Sequence, residues 1–158
     1  MKITLPKVIT IKDINMIEET PIEKRLPYND TYSLLRIGAD KFRDNDAVVF
    51  LPMGITEEEP VTWTYKMLLQ NINKFANYLN SQNVAYNEAI SVLLPNLPDT
   101  YAVLYGSEVQ GIVNPINPLL EVQHIASIIK AAGGKTLVTI APIPVSDIWQ
   151  KSLEITKL

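Results

Sequence analysis

The residues whose types come closest to chemistry are few. They are three adjacent carboxylates, Glu57-Glu58-Glu59, the aspartates of Arg43-Asp44-Asn45-Asp46, one histidine, His124, and a basic turn, Gly133-Gly134-Lys135. Carboxylates suit a hard cation, but calcium takes roughly six to eight oxygen ligands, and nothing beside 57–59 is spaced to close that shell. A solvated, mobile acidic loop is the expectation there. Asp44 and Asp46 lack the glycine and distal glutamate of a calcium loop, so their segment reads as a helix-ending turn. A single imidazole leaves no second histidine for a metal pair, and His124 falls away from the apolar face of its segment, toward solvent. Lys135 after two glycines offers an anion a charge, but the preceding helix would turn its electronegative carbonyl end toward it. No GxxxxGK[ST], GxGxxG or GxSxG pattern occurs, so the phosphate loops and nucleophile elbow such patterns build have no sequence support. Trp63 and Trp149 read as core anchors. Chemistry alone assigns no catalytic, cofactor-binding or metal-binding residue.

Composition narrows the class. In 158 residues, 47% are hydrophobic and 20% charged, the balance of a folded globular protein. A net charge of −3 with scattered Lys and Arg gives no footprint for nucleic acid or an anionic membrane. The absence of cysteine rules out disulfides and thiolate metal sites and agrees with a reducing, cytoplasmic setting. The opening MKITLPKVITIKDI lacks the pattern of a secretory signal, and no uncharged, proline-free stretch nears the ~20 residues of a membrane helix.

The elements that would position these residues follow from periodicity and punctuation. Residues 1–30 read as an extended arm, with a short strand over Val8–Ile11 and breaks at Pro21 and Pro27. Thr31 is placed to cap a helix carrying Leu34, Leu35, Ile37, Ala39 and Phe42. Ala47–Leu51 and Val61–Thr62–Trp63 form an antiparallel hairpin. Thr64 caps a helix whose Leu68, Ile72, Phe75, Ala76 and Leu79 make one face, ending near Gln82. Asn83 and Asn87 follow as candidates for left-handed backbone. Strand 89–94, helix 98–110, strand 112–114, helix 121–132, strand 136–140 and a last helix over 145–156 then alternate, the pattern of a parallel sheet with crossover helices. The fold class is α/β, a short antiparallel hairpin plus a partly parallel sheet. The helix from Pro98 is apolar on several sides, with Tyr101, Ala102, Tyr105, Gly106 and Val109 on one face. It is expected to meet the sheet through Ala102 and Gly106 and to need a covering layer not all supplied by this chain.

Three segments carry a family resemblance: VTWTYKMLLQNINKFANYL, AISVLLPNLPDTYAVLYGSEVQGIVNPINPLL and EVQHIASIIKAAGGKTLVT. In this order they resemble the N-terminal subdomain of adenylate-forming enzymes, nearest in wording to acyl-CoA synthetases for fatty or aryl acids. The match runs over 61–140, is weaker over 31–51 and is absent from 1–30. Asn83 and Asn87 stand where the family usually has glycine, Glu88-Ala89 replaces an Asp-Arg pair, and Asn96 is left to cap in place of a Ser or Thr at Leu97. The resemblance implies the N-terminal portion of a larger adenylate-forming fold: an arm, 1–30, and an α/β subdomain, 31–158. Its partner is the rest of its own polypeptide, with a downstream ATP-binding loop and a C-terminal lid. A small-molecule acid is the substrate, and ATP, Mg²⁺ and coenzyme A serve the full-length enzyme, none expected bound to this segment. A homodimer is compatible with all of this. The 158 residues alone are expected to be inactive. Two other readings stand beside this one: a non-catalytic α/β binding module, and an acyl-AMP ligase or adenylation domain that does not use CoA.

Overall fold

The computed structural model describes residues 7–25, 28, 30–55 and 57–158. The expected extended arm is helical instead, over α1 (Ile11–Glu18) and a single turn, α2 (Ile22–Arg25). Thr10 Oγ1 accepts from the Asp13 N–H at 3.3 Å, and the Asp13 carboxylate accepts from the Thr10 N–H at 2.8 Å. This reciprocal cap outweighs the β-propensity of Val8–Ile11. Neither helix buries a residue. Positions 1–6 of the arm and the expected break at Pro27 lie outside the described residues.

The next helix, α3 (Thr31–Phe42), is capped by Asp30 rather than Thr31. The Asp30 carboxylate accepts from the Ser33 N–H at 2.7 Å, which leaves Thr31 Oγ1 free to donate to Glu108 at 2.9 Å. Strands β1 (Asp46–Phe50) and β2 (Val61–Thr64) pair antiparallel, with Phe50 opposite Val61, as the sequence predicts. Helix α4 (Tyr65–Ser81) starts at the expected cap, Thr64 Oγ1 accepting from the Met67 N–H at 3.3 Å. Asn83 takes the left-handed conformation at φ 60°. Asn87 does not, since Asn83 is the one non-glycine residue of positive φ among the described residues.

The alternating second half forms a parallel sheet. Its strands are β3 (Ala89–Leu93), β4 (Ile112–Pro115) and β5 (Thr136–Thr139), in the order β4-β3-β5. The helices are α5 (Pro98–Gln110), α6 (Val122–Ala131) and α7 (Ile148–Ile155). The central strand β3 is buried at every position, as an apolar strand covered on both faces must be. Ile90 and Val92 pack with Leu79, Val84 and Val103 on one face. Leu93 packs with Ile116, Ile125, Ile148 and Ile155 on the other. The period of two along β3 therefore places α5 and the end of α4 on one side of the sheet, and α6 and α7 on the opposite side.

Helix α5 corrects two expectations. Its sheet-facing side runs through Val103, which packs with Ile90 and Val92. Ala102 packs instead with Leu68 and Ile72 of α4, in a third cluster bordered by the hairpin residues Val48 and Trp63. A β-carbon added at Gly106 would lie 2.9 Å from the Ile72 carbonyl oxygen and 3.1 Å from Phe75 Cβ. The missing side chain thus permits close approach of α4, not of the sheet. Helix α4 of this same chain covers the side of α5 turned from the sheet, while Tyr101 on the apolar face of α5 stays 46% exposed.

Candidate functional site

In open α/β sheets, ligands bind outside the carboxyl ends of the strands, where neighbouring strands send their connections to opposite faces. Here that point lies between β3 and β4: β3 leads into α5 on one face, β4 into α6 on the other. A cavity of about 300 Å³ opens there. Leu94, Asn96, Thr100 and Leu104 line the β3–α5 side, and Pro115–Pro118 the β4–α6 side. A larger groove of about 670 Å³ lies between α3 and α5, lined by Tyr28, Tyr32, Tyr86 and Tyr105, away from the strand ends.

Both walls of the crevice are fixed by local hydrogen bonds. On the β3 side, α5 begins at Leu97, which has no capping side chain. Asn96, expected to cap, is exposed and makes no such bond. Thr100 does that work: its Oγ1 accepts from the Leu97 N–H at 3.3 Å and donates to the Pro95 carbonyl at 2.6 Å. The signal was present in the sequence, since a hydroxyl at the third helical position reaches back to the start of its helix. On the β4 side, the Ile116 N–H donates to the Val92 carbonyl at 2.9 Å. Asn117 Oδ1 accepts from the Leu119 N–H at 3.0 Å. With Thr100 and Asn117 engaged in these bonds and no Lys or Arg in the lining, the crevice presents mostly carbon. Such a surface suits an apolar group better than a phosphate.

The residues singled out by type do not converge on it. His124 is exposed on α6. Lys135 lies at the opposite, amino edge of the sheet, in a pocket shared with Asn87 and Glu88, and Gly133 there ends α6 with φ 65°. Glu88 accepts from Thr136 Oγ1 at 2.6 Å, which ties the turn before β3 to β5. The acidic tract is not uniformly solvated. Glu58 accepts from the N–H groups of Met53 and Gly54, each at 2.7 Å, and of Ile55 at 3.2 Å. It closes the hairpin loop around its own carboxylate, a role that spacing to other acidic residues could not reveal. Among the described residues no group of three His, Asp or Glu side chains is arranged to hold a metal, and no helix is long and apolar enough to cross a membrane.

Residues 35–157 match the family described as AMP-binding enzyme, and the chain belongs to that family. It is 31% identical over 148 residues to marinolic acid–CoA ligase from Pseudoalteromonas sp. (strain SANK 73390), a match covering 94% of this chain and 23% of that ligase. Among solved structures, VinN in complex with L-aspartate superposes with a TM-score of 0.66 at 29% identity, over 80% of this chain and 30% of VinN. The N-terminal domain of FACL13 from Mycobacterium tuberculosis gives a TM-score of 0.66 at 22% identity, over 78% of this chain and 29% of that domain. At that identity the FACL13 likeness is one of fold. The chain spans under a quarter of the CoA ligase it matches.

Proposed function

We propose that this chain is the N-terminal part of an AMP-forming acyl-CoA ligase. The observation that carries the reading is the family match over residues 35–157, joined to 31% identity with a CoA ligase over nearly the whole chain. The reaction has two steps. The carboxylate of a small-molecule acid attacks the α-phosphorus of ATP, forming an acyl-adenylate and releasing pyrophosphate. The thiol of coenzyme A then attacks the acyl carbon and AMP leaves.

Charge accumulates on phosphate oxygens in the first step and has to be met by cationic groups or a metal. Among the described residues no three His, Asp or Glu side chains come together as a metal cluster. The segment's contribution is scaffold and shape. Residues from Thr31 onward share the packed clusters while α1 and α2 bury nothing, which supports an arm up to residue 30 and a subdomain from 31 to 158. The subdomain's partner is the remainder of its own polypeptide, and the acid is fatty or aryl.

The test is product analysis with the full-length polypeptide, ATP and candidate acids. The expected result is AMP and acyl-CoA in equal amounts, with little AMP when CoA is left out. Pyrophosphate and acyl-adenylate accumulating with no acyl-CoA and little free AMP, even when CoA is supplied, would show an enzyme that stops at the adenylate, and no ATP consumption with any acid would refute the ligase reading.

A further inference from the structure

We propose that the groove between α3 and α5 is a docking site for an arginine-bearing segment of a partner protein. The groove lies away from the strand ends, and its role is independent of the ligase reading. It holds about 670 Å³ between the two helices. Tyr28, Tyr32, Tyr86 and Tyr105 line it, and Asp30 and Glu108 supply its charge. No Lys or Arg among the described residues shares that lining. Tyr86, in the turn before β3, is 81% exposed, and Tyr28, just before α3, is 40% exposed. Rings of that size ordinarily bury much of their area, and here two of them keep it available at an open surface.

Charge selects the occupant. Glu108 joins the two walls, since one of its oxygens accepts from Thr31 Oγ1 at 2.9 Å. Its carboxylate meets no cation: Lys151 with Asp147 is the one ion pair among the described residues. Asp30 caps α3 through the Ser33 N–H at 2.7 Å. Arg36 bears on Asp30 from within α3 but forms no ion pair with it. Glu108 sits in the last turn of α5, which holds no basic residue, so the electronegative carbonyl end of that helix adds to its charge. Negative charge repels nucleic acid and anionic lipid, which leaves a cationic partner. Rings beside carboxylates favour a cation that also has flat faces. A guanidinium forks to a carboxylate and stacks on tyrosine, whereas a Lys ammonium is a strongly hydrated point charge. The volume is far more than one guanidinium fills, so the chain flanking the arginine occupies the rest.

The test is fluorescence anisotropy with the full-length protein and labelled tetra-arginine, tetra-lysine and tetra-glutamate peptides, at about 0.15 M salt. Tetra-arginine is expected to saturate with a Kd below about 100 μM and to bind several-fold tighter than tetra-lysine, and tetra-glutamate is expected not to bind. Glu108→Gln keeps an acceptor for Thr31 and removes the charge. It should weaken tetra-arginine about three- to fivefold, the worth of an exposed ion pair. Tyr86→Ala removes a ring that is mostly in solvent and should weaken it about two- to fivefold, which keeps the test decisive should Glu108→Gln disturb α5. Glu57→Gln takes the same charge from the exposed hairpin loop and should leave binding unchanged. No saturable binding of tetra-arginine overturns the proposal, as does binding undiminished in both Glu108→Gln and Tyr86→Ala. Equal binding of the arginine and lysine peptides, or an equal loss in Glu57→Gln and Glu108→Gln, also overturns it, because attraction to net negative charge alone then accounts for the result. None of these readouts uses ATP or an acid, so they stand whatever the full-length protein catalyses.

Discussion

Gly106 shows how much one residue settles. Any β-carbon there would press on the Ile72 carbonyl at 2.9 Å, and backbone does not move aside as a flexible side chain does. Gly106→Ala is expected to destabilise the chain by about 1–3 kcal/mol and Gly106→Leu by more, through overpacking between α4 and α5. An unchanged denaturation midpoint for the leucine variant would contradict that packing. Glu58 separates from its neighbours in the same way. Glu57→Gln and Glu59→Gln are expected to shift stability by no more than about 0.5 kcal/mol, as exposed positions do. Glu58→Ala strands the amides of Met53, Gly54 and Ile55 and should cost about 1 kcal/mol or more, read from urea midpoints. Equal effects at all three positions would rule out a carboxylate clamp at Glu58. At this scale the sequence tells which residues are small or acidic. It does not tell what each one faces, because that depends on contacts between segments far apart in the chain, such as Gly106 with Ile72.

Elements are legible where periodicity and caps agree. The hairpin, the helix from Thr64 and the strand–helix alternation after residue 89 appear close to their expected bounds. The partner of α5 is not legible. Apolar side chains on several sides announce burial without saying whether helix or sheet does the covering. The helix at 11–18 escapes the sequence reading although Thr10 and Asp13 carry a capping signature, since β-branched residues around it point to a strand. The two caps lead to a pH prediction. The Ser33 N–H holds the Asp30 carboxyl below the usual aspartate range. The N–H groups of Thr10 and then Ile9 do the same for Asp13. A carboxylate with a lowered folded pKa stabilises its helix above the unfolded-state pKa, and that contribution is lost as pH falls through the folded value. The starts of α3 and α1 should therefore be unaffected near neutrality and come loose only in acid. Amide NMR titration of Ser33, Thr10 and Ile9, whose N–H groups bond the two carboxylates, checks this: midpoints below an ordinary aspartate's ~3.9 are expected, and midpoints at or above it would contradict the caps.

For the whole molecule, the described residues build a scaffold and a mostly carbon crevice, and neither that crevice nor the Gly133–Lys135 turn favours a phosphate. Phosphate binding wants converging backbone N–H groups with a cation nearby. The adjacent pair Gly133-Gly134, with Lys135 after it, lies at the carbonyl end of α6 and at the amino edge of the sheet, where the helix dipole opposes an anion. The crevice at the other edge has no cation in its lining. The family likeness is legible in three segments read in order, and the structure adds what those segments hold in place. The most direct measurement is a calorimetric titration of ATP into the purified 158-residue chain. A segment that is scaffold for a larger ligase should show no binding tighter than about millimolar, worth only ~4 kcal/mol. Saturable micromolar binding would contradict this and make the segment a nucleotide-binding module in its own right.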